Sequence, residues 1–312
     1  MKALRKLLVL DSDGRSLGPL FKALFQKAVD SDPVLSLVGV TIENAGIAFA
    51  NDVVEGKPVR QLVINAMVAL GLSYTAGESK DIKNYPELAG SSDLIIVPKL
   101  AEEDAVCLWS DNAWSKTVTL NDSMTLAKTS IFHLSQPATV QDYVAWAHWA
   151  EPMLRTLVHT LKSSYSYAVI AKGICREKGT AIGEAHVARH GNDLAGFRRG
   201  RILVIDRAGT LMFHDLDPQI AKSIVKEVDP NNALGDTRMT PNGLEVMRVV
   251  VKHSSAVVCS RDDKYINTFL LHGIPRLAYC ISSTDCIITG QPIVVDAEEG
   301  TVYDASLLRK HS

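Results

Sequence analysis

Thiols are scarce in this chain. Five cysteines (Cys107, Cys175, Cys259, Cys280 and Cys286) are scattered through 312 residues, which argues against a disulfide framework in a chain of this size. Cys280 and Cys286 stand nearest each other, and their spacing matches no common zinc motif. No cysteine precedes Cys107, so the N-terminal segment has no thiolate to offer as a nucleophile. The nine histidines include no HExxH element, and no metal site is expected. Long apolar runs are missing too. None approaches the roughly 18 residues of a membrane span. The opening MKALRKLLVLD is basic, but its apolar run ends at Leu10, too short for a signal-peptide core. Charge of one sign is also lacking: 33 basic against 35 acidic residues leave a net charge of −2. No global field therefore draws nucleic acid or an anionic membrane. The expectation is a soluble cytoplasmic protein with neither kind of partner.

What is present is an ordinary globular balance, 46% apolar and 22% charged. The length suits two domains better than one. Leu7 to Leu10 is an apolar run meeting the turn Asp11-Ser12-Asp13-Gly14, as a buried parallel strand would. Leu20 to Val29 has helical spacing. Leu35 to Ile42 is apolar and β-branched and reads as a second strand, broken at Asn44-Ala45-Gly46. Pro58 to Leu70 reads as a helix with proline in its first turn, stopped by Gly71. Leu94 to Val97 and Thr117 to Leu120 are further strands. Val140 to Leu161 is a long amphipathic helix carrying Tyr143, Trp146 and Trp149. This alternation predicts a parallel α/β domain over residues 1–162.

Lys162 to Ser166 reads as a linker. Beyond it, over residues 168–312, short strands at Val187, Ile202 to Ile205, Ala256 to Val258, Ile293 to Val295 and Thr301 to Tyr303 are punctuated by glycines. Asp229 to Gly243 is polar and turn-rich, a long loop. Trp109 and Trp114 read as packing residues, like Trp146 and Trp149.

A strand that ends in a glycine turn and opens a helix is a ready anion site, because backbone N–H groups and the helix dipole point at the turn. Ser12, Gly14, Arg15 and Ser16 are the candidate anion-binding residues. Here the chain resembles the low-molecular-weight protein tyrosine phosphatases and related arsenate reductases. Gly14-Arg15-Ser16 stands where that family ends its phosphate loop, and Asn44-Ala45-Gly46 where it carries Ser-Ala-Gly. Gly56 and Pro58, Leu70-Gly71-Leu72, Ser92 to Val97 and the helix Val140 to Leu161 follow in order. The resemblance implies a thiolate nucleophile, and the matching position is Val9, Leu10 or Asp11. It implies an aspartate before a proline as general acid, and Ser135-Gln136-Pro137 stands there. Ordinary phosphatase catalysis is therefore not expected. Arg15 either holds an anion or caps and pairs with Asp11 or Asp13, and two aspartates would repel phosphate. A rival resemblance is to haloacid-dehalogenase-type phosphatases, whose Asp-x-Asp motif would make Asp11 the nucleophile and Asp13 the acid/base, with Mg²⁺. That family needs a later acidic pair, and Asp262-Asp263 is one, but it lies in the other domain.

The second half resembles the swivelling phosphohistidine (mobile) domain of phosphoenolpyruvate-utilising enzymes. Lys172-Gly173-Ile174, Gly183-Glu184-Ala185, Phe197 to Val204, Ser255 to Val258, His272 to Pro275, Gly290-Gln291, Val294 to Asp296 and Gly300 to Val302 carry the likeness. The family's histidine segment is degenerate here: Cys259 to Asn267 places Asn267 or Lys264 at the histidine position, beside Asp262 and Asp263. His253 reads as a strand lead-in and His272 as a helix end, and neither as a phosphocarrier.

The expected fold class is α/β: a parallel-sheet phosphatase-like domain followed by a swivelling β/β/α domain. The first functional expectation is a non-catalytic two-domain protein with a regulatory, scaffolding or phosphoanion-binding role and no cofactor. The second is an enzyme with repurposed phosphate chemistry at Asp11, Asp13 and Arg15, using Mg²⁺. The third is a component of a phosphoenolpyruvate-dependent transfer system. The expected partner is a protein or a phosphorylated small molecule.

Overall fold

The computed structural model describes residues 3–47, 55–74, 77–97, 116–119, 138–206, 216–231, 241–261 and 273–309. The chain forms two compact units, Met1–Ser164 and Tyr165–Ser312.

The first unit is built on a parallel sheet. Strand β1 (Lys6–Asp11) lies between β2 (Thr41–Gly46) and β3 (Leu94–Val97), and β4 (Thr117–Thr119) follows β3, giving the order β2-β1-β3-β4. All three pairings are parallel. β1 is buried from Leu7 onward, as a central parallel strand covered on both faces must be. Leu8 and Leu10 pack with Ala45, Ile82, Ile95 and Val97 on one side of the sheet. The helices among its described residues are α1 (Leu17–Ser31), α2 (Pro33–Val38), α3 (Gln61–Ala69), α4 (Pro86–Ser91) and α5 (Val140–Ser164). Phe21 of α1 meets Trp146 of α5 edge-on, with centroids 6.0 Å apart.

Three sequence expectations change here. Leu35 to Val38 is helical, and the strand begins only at Thr41. Apolar content alone does not separate the two states. Asp32 and Pro33 decide it, because the Asp32 carboxylate caps the amides of Val34 and Leu35 and Pro33 opens the turn. Gly39, at φ +71°, ends it. Asn44-Ala45-Gly46 continues β2 rather than breaking it. Lys162 to Ser164 is the last turn of α5 rather than a free linker: buried Lys162 pairs with Asp32 at 3.1 Å.

The second unit has an eight-stranded sheet. Its strands are β5 (Val169–Lys172), β6 (Ile174–Glu177), β7 (Thr180–Ala188), β8 (Ile202–Ile205), β9 (Ala256–Cys259), β10 (Arg276–Ala278), β11 (Pro292–Asp296) and β12 (Thr301–Asp304). Their order is β5-β12-β11-β7-β8-β9-β10-β6. β7, β8, β9 and β10 run parallel, and the flanking pairs are antiparallel. β5 and β6 stand at opposite ends of this order, yet only Gly173 separates them in sequence. The sheet therefore curls until its edges meet at that residue. A Cβ on Gly173 would lie 2.6 Å from the Ala278 carbonyl oxygen and closer still to the Cys280 sulfur. That crowding requires glycine.

Strand alternation makes the layers. Ile202, Val204, Ala256 and Val258 face inward onto Ile293, Val295 and Val302. Leu203, Ile205, Val257 and Cys259 face the other way, onto α6 (Pro218–Val228) and α7 (Gly243–Lys252). The result is helix, sheet, sheet. Asp217 caps α6, and Asn242 with Glu245 forms a reciprocal capping box on α7. The described residues also include two short helices, α8 (Ser283–Cys286) and α9 (Ala305–Arg309).

Candidate functional site: the loop after β1

In an open parallel sheet, ligands sit beyond the carboxyl ends of the strands where the order reverses direction. β1 is that place in the first unit, with β2 on one side and β3 on the other. The loop Asp11 to Ser16 leaves it and opens α1. Gly14 has φ +62°, and a Cβ there would lie 2.8 Å from the Gly46 amide nitrogen. The turn thus needs glycine both for its dihedral and for its seat on β2.

The amides of this loop converge on Asp11. Its Oδ1 accepts the Gly14 N–H at 2.6 Å, and its Oδ2 accepts the Gly18 N–H at 2.8 Å. The Ser16 N–H also points at it. The residue is 2% exposed. Burial, then the neighbouring Asp13 charge, pushes the Asp11 carboxyl up to about 7, against the pull of those amides. A carboxylate that belongs to the chain thus sits where the amides of such a loop would hold an external anion.

Asp13 organises the outer side. Its Oδ1 accepts the Arg15 N–H at 2.9 Å, and its Oδ2 accepts the Ser16 hydroxyl at 2.9 Å and the Arg60 guanidinium at 2.6 Å. The Arg15 guanidinium is engaged elsewhere: its Nε donates to the Pro58 carbonyl at 2.8 Å. The Arg60 amide in turn donates to the Arg15 carbonyl at 3.2 Å. Asn44 donates to the Gly14 carbonyl at 3.4 Å. The loop is laced to the entry of α3 and to β2. Ser12 is half-buried beside these groups.

Of the residues singled out in the sequence, Asp11, Ser12, Asp13, Gly14, Arg15 and Ser16 come together in one loop. Asp262, Asp263, Lys264, Asn267, His272, Trp109, Trp114, Cys107 and Ser135 to Pro137 lie outside the described residues. His253, expected to lead into a strand, instead caps the C-terminus of α7, 3.3 Å from Asp229. His186 and His190 are four apart in sequence, but β7 ends between them; His186 is buried against Phe197 and bonds the Asp193 carbonyl. Burial, first of all, pulls the His186 imidazole below its ordinary range. Among the described residues no three His, Cys, Asp or Glu side chains are grouped as metal ligands would be. No helix among the described residues is long and apolar enough to cross a membrane.

Sequence reasoning misses Arg60, the cation that balances Asp13. The available signal was a basic residue at the N-cap of α3, where serine, threonine or aspartate would be usual.

No family model matches the chain, and no curated protein matches it in sequence. Solved structures do resemble half of it. Wzb of Vibrio vulnificus in complex with benzylphosphonate is 18% identical, covering 51% of this chain and 99% of its own, at a TM-score of 0.42. A low-molecular-weight protein tyrosine phosphatase from Bacillus subtilis is 17% identical, with 51% and 97% covered and a TM-score of 0.40. The YwlE arginine phosphatase of Geobacillus stearothermophilus is 18% identical, with 51% and 94% covered and a TM-score of 0.41.

Proposed function

We propose that the first unit is a phosphatase-like module without turnover, serving a regulatory or scaffolding role, and that its phosphate-type loop is filled by its own carboxylate. One observation carries this reading: Asp11 accepts the Gly14 and Gly18 amides at 2.6 and 2.8 Å. These donors would have to be surrendered before phosphate could enter, and phosphate would then face the Asp13 charge and crowd the Asp11 carboxyl. Arg15, the residue expected to clamp an anion, spends its Nε on a backbone carbonyl. The absence of a thiol at Val9, Leu10 or Asp11 supports the same reading.

A second reading has one observation in its favour. A carboxyl pushed up to about 7 is poised for acid–base work near neutral pH. It would make Asp11 and Asp13 the reacting pair, with Mg²⁺ as the implied metal. Burial of Asp11 at 2% exposure weighs against it, since a nucleophile or base must reach its substrate.

Hydrolysis assays decide between them. The full chain is offered para-nitrophenyl phosphate, phosphotyrosine and phosphoarginine, each with and without Mg²⁺. The expected result is no release of phosphate above the protein-free blank. Turnover that needs Mg²⁺ and disappears in Asp11→Asn would establish the second reading instead.

A further inference from the structure

The second unit carries a cleft of about 850 Å³ lined by, among others, Arg189, Asp206, Arg261, Tyr279, Ser282 and Asp285. Its position is set by topology. Arg189 follows β7, Asp206 follows β8, Ser260 and Arg261 follow β9, and Tyr279 follows β10. These are four adjacent parallel strands, so their carboxyl ends open into one space, the place where such sheets take ligands. The volume suits a metabolite-sized molecule.

Backbone strain is gathered here. Among the described residues, Tyr279 at φ +56° and Ser282 at φ +62° are the non-glycine residues in the left-handed region, and both line the cleft. A bulky aromatic residue rarely adopts that conformation, and such outliers cluster at ligand clamps. The buried Ser260 and Ser283 hydroxyls, 3.1 Å apart, tie the β9 end to the segment after Tyr279 and hold it in place.

The ion pairs here are long, although Arg189 is also held by a backbone carbonyl. Arg189 gives one Nη to the Thr284 carbonyl and stands 3.7 Å from the Asp285 carboxylate. Arg261 stands 4.0 Å from Asp206. Both ion-pair separations exceed hydrogen-bond distance, and both arginine side chains are more than half exposed. A ligand oxyanion would displace such pairs easily, because a guanidinium fork matches it in two-point geometry. Displacement leaves Asp206 and Asp285 without their cations. They then serve as acceptors for donor groups on the same molecule.

We infer that this cleft binds a small zwitterion, its phosphate or carboxylate held by Arg189 and Arg261 and its ammonium group held by Asp206 and Asp285. The inference does not depend on the reading of the loop after β1, since every residue it uses lies in the second unit.

Titration calorimetry on the full chain tests it with four probes. O-phosphoethanolamine and β-alanine carry both an oxyanion and an ammonium group. Inorganic phosphate and ethanolamine carry one each. At least one zwitterion is expected to bind tighter than about 1 mM, and at least about 10-fold tighter than either inorganic phosphate or ethanolamine. Which zwitterion binds tells phosphate from carboxylate. Arg261→Gln, an exposed change that leaves the core untouched, should weaken that binding about 10-fold or more. Absence of heat with both zwitterions would overturn the inference. So would phosphate alone binding as tightly as O-phosphoethanolamine, or unchanged affinity in Arg261→Gln.

Discussion

The two units each place polar groups beyond the carboxyl ends of parallel strands, and they treat those groups in opposite ways. In the first, the loop after β1 satisfies itself: Asp11 takes the amides, Asp13 takes Arg60 and Ser16, and Arg15 takes a carbonyl. In the second, Arg189 also gives one nitrogen to a carbonyl, but its carboxylate partner and that of Arg261 stand 3.7 and 4.0 Å away, beyond hydrogen-bond distance, beside an open cleft. Topology therefore chooses where a site can be, and hydrogen-bond satisfaction chooses whether it is available. A loop can keep the outline of an anion site while its donors are already used.

The largest expected effect tests how tightly the first loop is closed. Gly14→Ala places a Cβ 2.8 Å from the Gly46 amide on a backbone with φ +62°. The expected loss is about 3 kcal/mol, from a left-handed alanine plus a forced backbone shift. Urea denaturation measures it, and a loss under about 1 kcal/mol would mean the loop has slack.

Next comes the pH dependence of stability. The folded Asp11 carboxyl sits at about 7 against 3.8 for the ordinary group. Between those values the folded state holds a proton that the unfolded chain has released. Stability should be greatest below 3.8 as far as this group is concerned, and fall as pH rises toward 7. The decline is on the order of a few kcal/mol, given about 1.4 kcal/mol for each pH unit. Asp11→Asn should flatten the profile in that window. A wild-type profile that rises there, with no change in the variant, would mean that Asp11 is ionised throughout.

Smaller effects follow. Arg60→Gln removes the charged partner of Asp13 and should cost about 1 kcal/mol, since the arginine side chain is 40% exposed. In the open cleft the sign reverses: Ser282→Gly relieves a positive φ and should stabilise by up to about 1 kcal/mol. Its ligand affinity should fall at the same time if the strain shapes the cleft. Calorimetric scans of both variants check the pair. Destabilisation by Ser282→Gly would show that the hydroxyl matters more than the dihedral.

Much of the fold is legible in the sequence where a single element is long or uniformly apolar. The runs Leu7 to Leu10, Leu94 to Val97, Ile202 to Ile205 and Ala256 to Val258 are buried strands, and Val140 to Leu161 is a helix that continues to Ser164. Short elements of mixed composition are not legible: β5, β6 and β10 have three or four residues each, and α4 is a single turn and a half of Pro-Glu-Leu-Ala-Gly-Ser. Pairing across the sheet defines them, not local preference. Leu35 to Val38 misleads because its apolar side chains suit either state, while Asp32, Pro33 and Gly39 fix a helix.

At the site, Gly14-Arg15-Ser16 marks the loop in the sequence, and so does the missing thiol. The direction of the Asp11 side chain is not written there. It depends on the short loop returning the Gly14 and Gly18 amides to one point. Arg60 is equally hidden, because its link to Asp13 joins residues 47 positions apart.

The most direct test of the central claim is the effect of inorganic phosphate on the thermal midpoint of the full chain and of Asp11→Ala. The account predicts a wild-type midpoint that does not move with phosphate. Asp11→Ala leaves the Gly14 and Gly18 amides unpaired, costing about 1–3 kcal/mol for each. Phosphate should then raise its midpoint, by about 2–4 °C for each kcal/mol of binding linkage. A wild-type midpoint that rises with phosphate as much as the variant's, or a variant that phosphate leaves unchanged, would contradict a cradle filled by Asp11.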